Sequence, residues 1–252
     1  MQTSKIILVD KKIHLNLLSK KLILPKRIQD KIDGYWEDLL KNGKKYTRGR
    51  VFSAIDIKEE KKEIRIDFVL TDYAHYLYSS NVGLPKKYAC KNVHTSCLIE
   101  TTDNVLIFGR MGKNTSRAGI IQCIGGGLDE EDIFGKKIDL KHNMEKELFE
   151  EVGIDFRDEK MVDSLSHEYI KHSQKINSVA MIFILKLKIT AKQFKKHYAK
   201  FEKELKKKKM LPEFGELIYL PKEKKSINDF LRKEKKSLPD HYMKVLLRKV
   251  AV

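Results

Sequence analysis

The chain has 252 residues, 41% hydrophobic and 35% charged, and carries a formal net charge of +17. That length supports a real core, in one large domain or two small ones, and its content of Val, Ile, Leu and Phe excludes a chain left unfolded for want of apolar side chains. The positive charge points either to a phosphate-bearing partner (nucleic acid, a nucleotide, an anionic membrane) or to solvated lysine faces. Its dispersal, without interleaved aromatics, favours the solvated faces.

Three cysteines, Cys90, Cys97 and Cys123, form no C-x-x-C pair, which fits a reducing cytoplasm better than a disulfide framework. The first fifteen residues hold no sustained apolar stretch with a small-residue cleavage site, so no signal peptide is expected. The longest apolar run, "SVAMIFILKLKI", is too short for a bilayer and suits a buried strand.

In chain order, residues 1–91 read as a small α+β unit. "KIILVD" is β-prone, and Pro25 opens a helix with Ile28, Ile32 and Trp36 at i, i+4, i+8. "RVFSAIDI" and "EIRIDFVL" flank the polar "KEEKK" as a hairpin. "TDYAHYLYSSN" starts on Thr71, a candidate cap for a short helix.

Residues 92–252 read differently. "TSCLIE" and "NVLIFGR" form a second hairpin, followed by the Gly-rich "IIQCIGGGLDEED", a glutamate-rich helix, the strand "VAMIFILKLK", a lysine-rich segment, the strand "ELIYLPKE" and a C-terminal helix in "SLPDHYMKVLLRKV". Helices and strands mix without regular βαβ alternation, so the class is α+β, a mixed sheet with helices on it. Residues 192–209 hold nine lysines against Glu202 and Glu204, while Phe194, Tyr198, Phe201 and Leu205 keep helical spacing. This predicts an amphipathic helix with a basic outer face, a solvated face before a phosphate-binding one.

The chemistry concentrates in "MEKELFEEVGI", Met144 to Ile154. On a helix, Met144, Leu148 and Val152 form the core stripe, Glu147, Glu150 and Glu151 cluster beside it, and Gly153 supplies a left-handed stop. Adjacent carboxylates repel, and the helix C-terminus disfavours anions. Solvent, lysine partners or a hard divalent cation with oxygen ligands would each relieve the cluster.

Together with Gly125, Gly126 and Gly127, which follow the apolar "IIQCI", this helix resembles the signature of the Nudix hydrolases. That signature is a glycine, five residues, a glutamate, seven residues, then R-E-U-x-E-E-x-G-U, with U aliphatic. Lys146, Glu147, Leu148, Glu150, Glu151, Gly153 and Ile154 match its second half, with lysine in place of arginine. Gly126 and Asp132 match the first half, with aspartate in place of glutamate and Glu130 or Glu131 as alternative registers. Between Asp132 and Lys146 the chain has about six residues more than the signature, in "DIFGKKIDLKH".

The resemblance implies an α/β/α sandwich with a mixed sheet and an N-terminal extension. It also implies a pyrophosphohydrolase using Mg²⁺ or Mn²⁺ to split a nucleoside diphosphate linked to another group, such as a nucleotide sugar or ADP-ribose. By the same resemblance Glu147 and Glu151 are the principal metal ligands. Glu150 is a further ligand or base, and the Gly126 carbonyl completes the site. Glu213 and Glu216 are candidates for a base outside the signature, and Arg110 and Arg117 for phosphate contacts, each against an ordinary surface or salt-bridge role. A homodimer is open. Two alternatives stand beside this: an RNA-cap or RNA-end hydrolase using the lysine-rich helix, and a catalytically silent nucleotide sensor. A structural nucleic-acid-binding protein has only the charge in its favour.

Overall fold

The fold is taken from a computed structural model, which describes residues 5–19, 22–115, 117–135, 137–173, 178–238 and 241–251. The N-terminal part runs β1 (Lys5–Leu8), β2 (Lys12–Leu17), α1 (Lys26–Lys41), β3 (Arg50–Glu59), β4 (Glu63–Asp72) and α2 (Tyr73–Asn81). As the spacing predicts, Ile32 and Trp36 of α1 are buried; they pack on Ala74 and Leu77 of α2. Strands β3 and β4 are the expected antiparallel hairpin. The cap of α2 is Asp72, not Thr71: Asp72 Oδ1 accepts from His75 N at 2.8 Å, while Thr71 Oγ1 bonds the His75 ring. Arg48 ties the two helices together, bridging Asp33 at 2.7 Å and Asp72 at 2.9 Å.

The remainder runs β5 (Asn92–Glu100), β6 (Val105–Met111), β7 (Ile121–Gln122), β8 (Ile133–Phe134), β9 (Lys137–Ile138), α3 (Leu140–Val152), β10 (Val162–Ser173), β11 (Ser178–Leu187), α4 (Ala191–Lys207), β12 (Phe214–Pro221), α5 (Lys224–Lys233) and α6 (His241–Val250). Pro239 and Asp240, within the segment expected to end in a helix, lie outside the described residues.

Among the described residues, strands from both sides of residue 91 share one 10-stranded sheet. Its main path is β1-β10-β11-β5-β3-β4-β2, with β6 joining β5 to β12 and β7. The pairs β11–β5 and β2–β4 are parallel and the others antiparallel, so the sheet is mixed. One face carries Val93, Cys97, Val179, Met181 and Phe183 under Met144, Leu148 and Val152 of α3 and Phe194 and Tyr198 of α4. The other carries Leu98, Ala180, Ile182 and Ile184 under Ile227 and Leu231 of α5 and Leu246 and Leu247 of α6. The fold is therefore α+β with helices on both faces of the sheet, as expected. Among the described residues no helix is long and apolar enough to cross a membrane.

The sheet divides along β5. Its first residue faces β3 at Ser53↔Asn92, and its last two pair with β6 at Ile99↔Ile107 and Glu100↔Leu106. The gap between β3 and β6 is where the glycine turn lies.

His167 of β10 stacks on Phe183 of β11, ring centroids 4.8 Å apart, with Nε2 buried and no hydrogen-bond partner among the described residues. Burial pushes this imidazole from its ordinary 6.5 down to about 4. A folded-state value below the unfolded one means that stability is full above pH 6.5 and is lost as pH falls through 4. We expect His167→Phe, which keeps the stack, to lose less thermal stability than the wild type between those two pH values; equal losses would show that His167 is not their source.

Candidate active site

The glycine turn is stitched onto the middle of β5. Thr95 N donates to Gly126 O at 2.9 Å, Ile124 N to Cys97 O at 3.2 Å and Leu128 N to Val93 O at 3.2 Å. Gly125 has φ +137°, and a Cβ there would run into the Thr95 carbonyl, so backbone lies directly on backbone. A Cβ on Gly126 would collide with the Glu147 carboxylate. The turn is thus narrow enough for a carboxylate to rest against it.

The carboxylates come from α3. Asp139 caps its start, with Oδ1 accepting from Lys141 N and His142 N at 3.0 Å each, and Gly153 ends it at φ +71°. Met144, Leu148 and Val152 are 0% exposed and pin the helix to the sheet. Glu147 and Glu151, one turn apart beside that stripe, face the glycine turn, and Glu151 accepts from Gly125 N at 2.8 Å. Glu150 is exposed.

Electrostatics follow from this geometry. Burial, then the charges of Glu150, Glu213 and Asp132, push Glu147 up to about 7 against the pull of Lys146. Glu151 is 4% exposed and is likewise held well above its ordinary value, by burial first and then by Glu213 and Glu147, with the Gly125 amide opposing. Glu213, on the segment before β12, therefore faces Glu151. Its own backbone is held there by Gly112 N donating to Glu213 O at 2.8 Å.

A cleft of about 480 Å³ opens over the turn. Arg117, Glu213 and Asp129 line it, as do Tyr73 and Tyr76 of α2. Of the residues singled out by sequence, Gly126, Glu213 and Arg117 line this cleft, while Glu147 and Glu151 meet the turn itself, at Gly126 and at Gly125 N. Arg110 and Glu216 do not: Arg110 pairs with Glu216 at 3.1 Å and Glu234 at 3.2 Å, between β6, β12 and the end of α5.

In the upstream half of the signature, Lys146 pairs with Asp129 at 3.1 Å and with Glu131, one of the alternative registers, at 3.6 Å, and not with Asp132. Asp132 is 0% exposed, ends a short 3₁₀ turn (Glu130–Asp132), and accepts from Asp129 N and Asn143 Nδ2, both at 2.9 Å. The extra residues fold into the small β8–β9 hairpin. Asn143, fully buried on α3, also donates to Gly127 O at 3.2 Å and accepts from Thr95 Oγ1 at 2.5 Å. One amide therefore joins helix, turn, sheet and the 3₁₀ segment. Sequence reasoning missed it; the available signal was a lone asparagine beside the apolar stripe, one turn before Glu147.

Among the described residues no group of three or more His, Cys, Asp or Glu side chains is placed to hold a metal ion, and the Gly126 carbonyl already accepts from Thr95 N. The donor chemistry nonetheless fits a hard divalent cation. Two oxygen donors, Glu147 and Glu151, are withdrawn from water against each other and a third acid, a crowding that a cation relieves. Glu147 and Glu151 are the residues that would hold it, with Glu213 beside them.

The sequence matches no family model and no curated protein. Solved structures overlay partially. DR0079 from Deinococcus radiodurans is 11% identical at TM-score 0.41, over 64% of this chain and 83% of its own. The MutT protein from Methanosarcina mazei Go1 is 15% identical at TM-score 0.36, over 63% and 91%. The NUDIX domain of Shewanella oneidensis NrtR, complexed with ADP ribose, is 12% identical at TM-score 0.34, over 69% and 94%. Overlays this loose carry no function across to this chain.

Asn143→Ala should leave Asp132 Oδ2, Gly127 O and Thr95 Oγ1 each short of a buried partner. We expect a loss of about 2–4 kcal/mol in denaturant unfolding; a loss below about 0.5 kcal/mol, the size of an ordinary surface substitution, would show that the clasp is dispensable.

Proposed function

We propose that the chain is a divalent-cation-dependent hydrolase that splits the diphosphate of a nucleoside diphosphate linked to another group, a nucleotide sugar or ADP-ribose being candidates. The observation that carries this is the pair of buried Glu151 and half-buried Glu147, set against a glycine turn that lines a cleft with tyrosines, an arginine and a third carboxylate. The matching second half of the signature supports it.

Mg²⁺ or Mn²⁺ held by Glu147 and Glu151 would neutralise diphosphate oxygens and make a water more acidic. The chain's own groups do the rest. The bare backbone of Gly125–Gly127 lets a diphosphate approach without side-chain obstruction. Arg117 offers charge to its oxygens, and Tyr73 and Tyr76 offer flat faces to a base. Water attacks one phosphorus in line, its proton passing to the Glu213 carboxylate, and the other phosphate leaves with its linked group. Glu150 is exposed, and its charge bears on Glu147.

The RNA-end alternative draws no support from the cleft, since no residue of α4 lines it among the described residues. Its basic face lies outward, with Phe194, Tyr198 and Leu205 turned to the core. A silent nucleotide sensor keeps the same cleft and differs only in turnover.

The test is a Mg²⁺/Mn²⁺ screen over ADP-ribose, UDP-sugars, NAD, dinucleoside polyphosphates and nucleoside triphosphates, with products identified. We expect cleavage of at least one, reduced about 100-fold or more by Glu147→Gln and by Glu151→Gln. Glu151→Gln should also raise the melting temperature of the metal-free protein at neutral pH, because a neutral isostere removes carboxylate repulsion yet still accepts from Gly125 N. Wild-type turnover in both variants would overturn the assignment, and nucleotide binding without cleavage would establish the sensor.

A further inference from the structure

Helix α4 carries charge of one sign along its outer side, where α1 and α3 alternate it. In α1, Lys26 meets Asp30 at 2.9 Å and Lys41 meets Glu37 at 3.9 Å, and in α3 Lys141 meets Glu145 at 3.5 Å, each pair one turn apart. In α4 the residue one turn from a lysine is repeatedly another lysine: Lys192 and Lys196, Lys196 and Lys200, Lys203 and Lys207. At 100° per residue, Lys192, Lys196, Lys200, Lys203 and Lys207 fall within an arc of about 80° and form a stripe about 22 Å long. Glu202 and Glu204 lie outside that arc, one on either side. All five lysines are exposed. Among the described residues none of the five makes a salt bridge or a side-chain hydrogen bond.

Like charges one turn apart destabilise a helix. A merely solvated face needs no such repulsion, because interspersed lysine and glutamate keep a surface soluble. The stripe is held in place from behind, by Phe194, Tyr198 and Leu205, which are buried on the opposite side of α4. A row of ammonium groups about one helical turn apart complements a linear polyanion. Within the stripe there is no aromatic ring on which an unpaired base could stack, and no Arg, Asn or Gln to read a base edge. The apolar side of α4 is spent on the core, so the helix itself has nothing to insert into a lipid surface. Met210 and Leu211, 54% and 71% exposed just beyond its end, are the residues a lipid surface would engage, which makes vesicles the contrast to test.

We propose that the lysine stripe of α4 binds the phosphate backbone of duplex nucleic acid without regard to sequence. Each ammonium group that meets a phosphate releases a condensed counterion, and base edges stay unread. Among the described residues no residue of α4 lines the cleft, so this surface is separate from the candidate active site, and either can fail alone.

The test measures binding of the full chain to short mixed-sequence duplexes, one of DNA and one of RNA, by fluorescence anisotropy over a salt series. For the tighter duplex, which names the source, log affinity should fall against log salt with a slope of about −4, near 0.9 per phosphate met. Lys192→Gln, Lys196→Gln, Lys200→Gln and Lys203→Gln together should bring that slope to about −1 and weaken binding about tenfold or more at low salt. Arginine at the same four positions should keep the wild-type slope. A control removing the same charge elsewhere, Lys44→Gln, Lys45→Gln, Lys61→Gln and Lys62→Gln, should leave slope and affinity near wild type. The glutamine stripe variant should melt no lower than wild type, since lysine and glutamine have similar helix propensities and a repulsion is removed. Equal weakening by the stripe and control variants would assign binding to net charge and overturn the proposal. It would be overturned equally by absence of saturable binding, by tighter binding to single strands than to either duplex, or by preference for phosphatidylserine vesicles.

Discussion

The pressing of two carboxylates, one buried and one half-buried, against a bare glycine turn is the constraint on which the rest of this structure depends. Glu147 and Glu151 cannot be moved outward without rotating α3, and α3 cannot rotate because Met144, Leu148 and Val152 are buried to completion beneath it. Gly125 cannot retreat because its neighbours are bonded to Val93, Thr95 and Cys97 of β5. Two rigid elements are thereby pressed together with like charges between them. Proteins keep such an arrangement where something other than stability is gained, since perturbed carboxylates in a cleft mark sites of chemistry.

The supporting structure around this pair is polar and only partly internal. Asn143 joins α3 to Thr95, Gly127 and Asp132, while Lys146 reaches over Asp129 and Glu131. The support is divided between a buried amide and a more exposed lysine pair, beside the β8–β9 hairpin. A buried amide satisfied on three sides orients its neighbours without the desolvation cost of a buried charge. Glu147 and Glu151 thus keep their contact with the turn at Gly126 and Gly125.

Much of this was legible in the chain. The stripe at Met144, Leu148 and Val152, the stop at Gly153 and the aromatic stripe of α4 follow from period alone, and each is found as expected. Long-range pairing was not legible: nothing local in "KIILVD" says that it lies beside β10, or that β5 serves β3, the glycine turn and β6 in succession. Strand β10 escaped notice because "VDSLSHEYIKHS" is polar and broken by irregularities at Val162/Ser164 and His167/Tyr169, which defeat a period of two. Helix α5 hides Ile227 and Leu231 among lysines. At the site, Glu213 could be named only as one of two acids before a strand; the fold turns it to Glu151 and sends Glu216 to Arg110.

The central claim is that Glu147 and Glu151 exchange protons for a divalent cation. Calorimetric titration of MgCl₂ or MnCl₂ at pH 7, in two buffers of different ionisation enthalpy, tests it directly. The account predicts saturable binding with release of about one proton or more per cation, abolished when both glutamates are replaced by glutamine. Binding without proton release, or binding unchanged in that double variant, would contradict it.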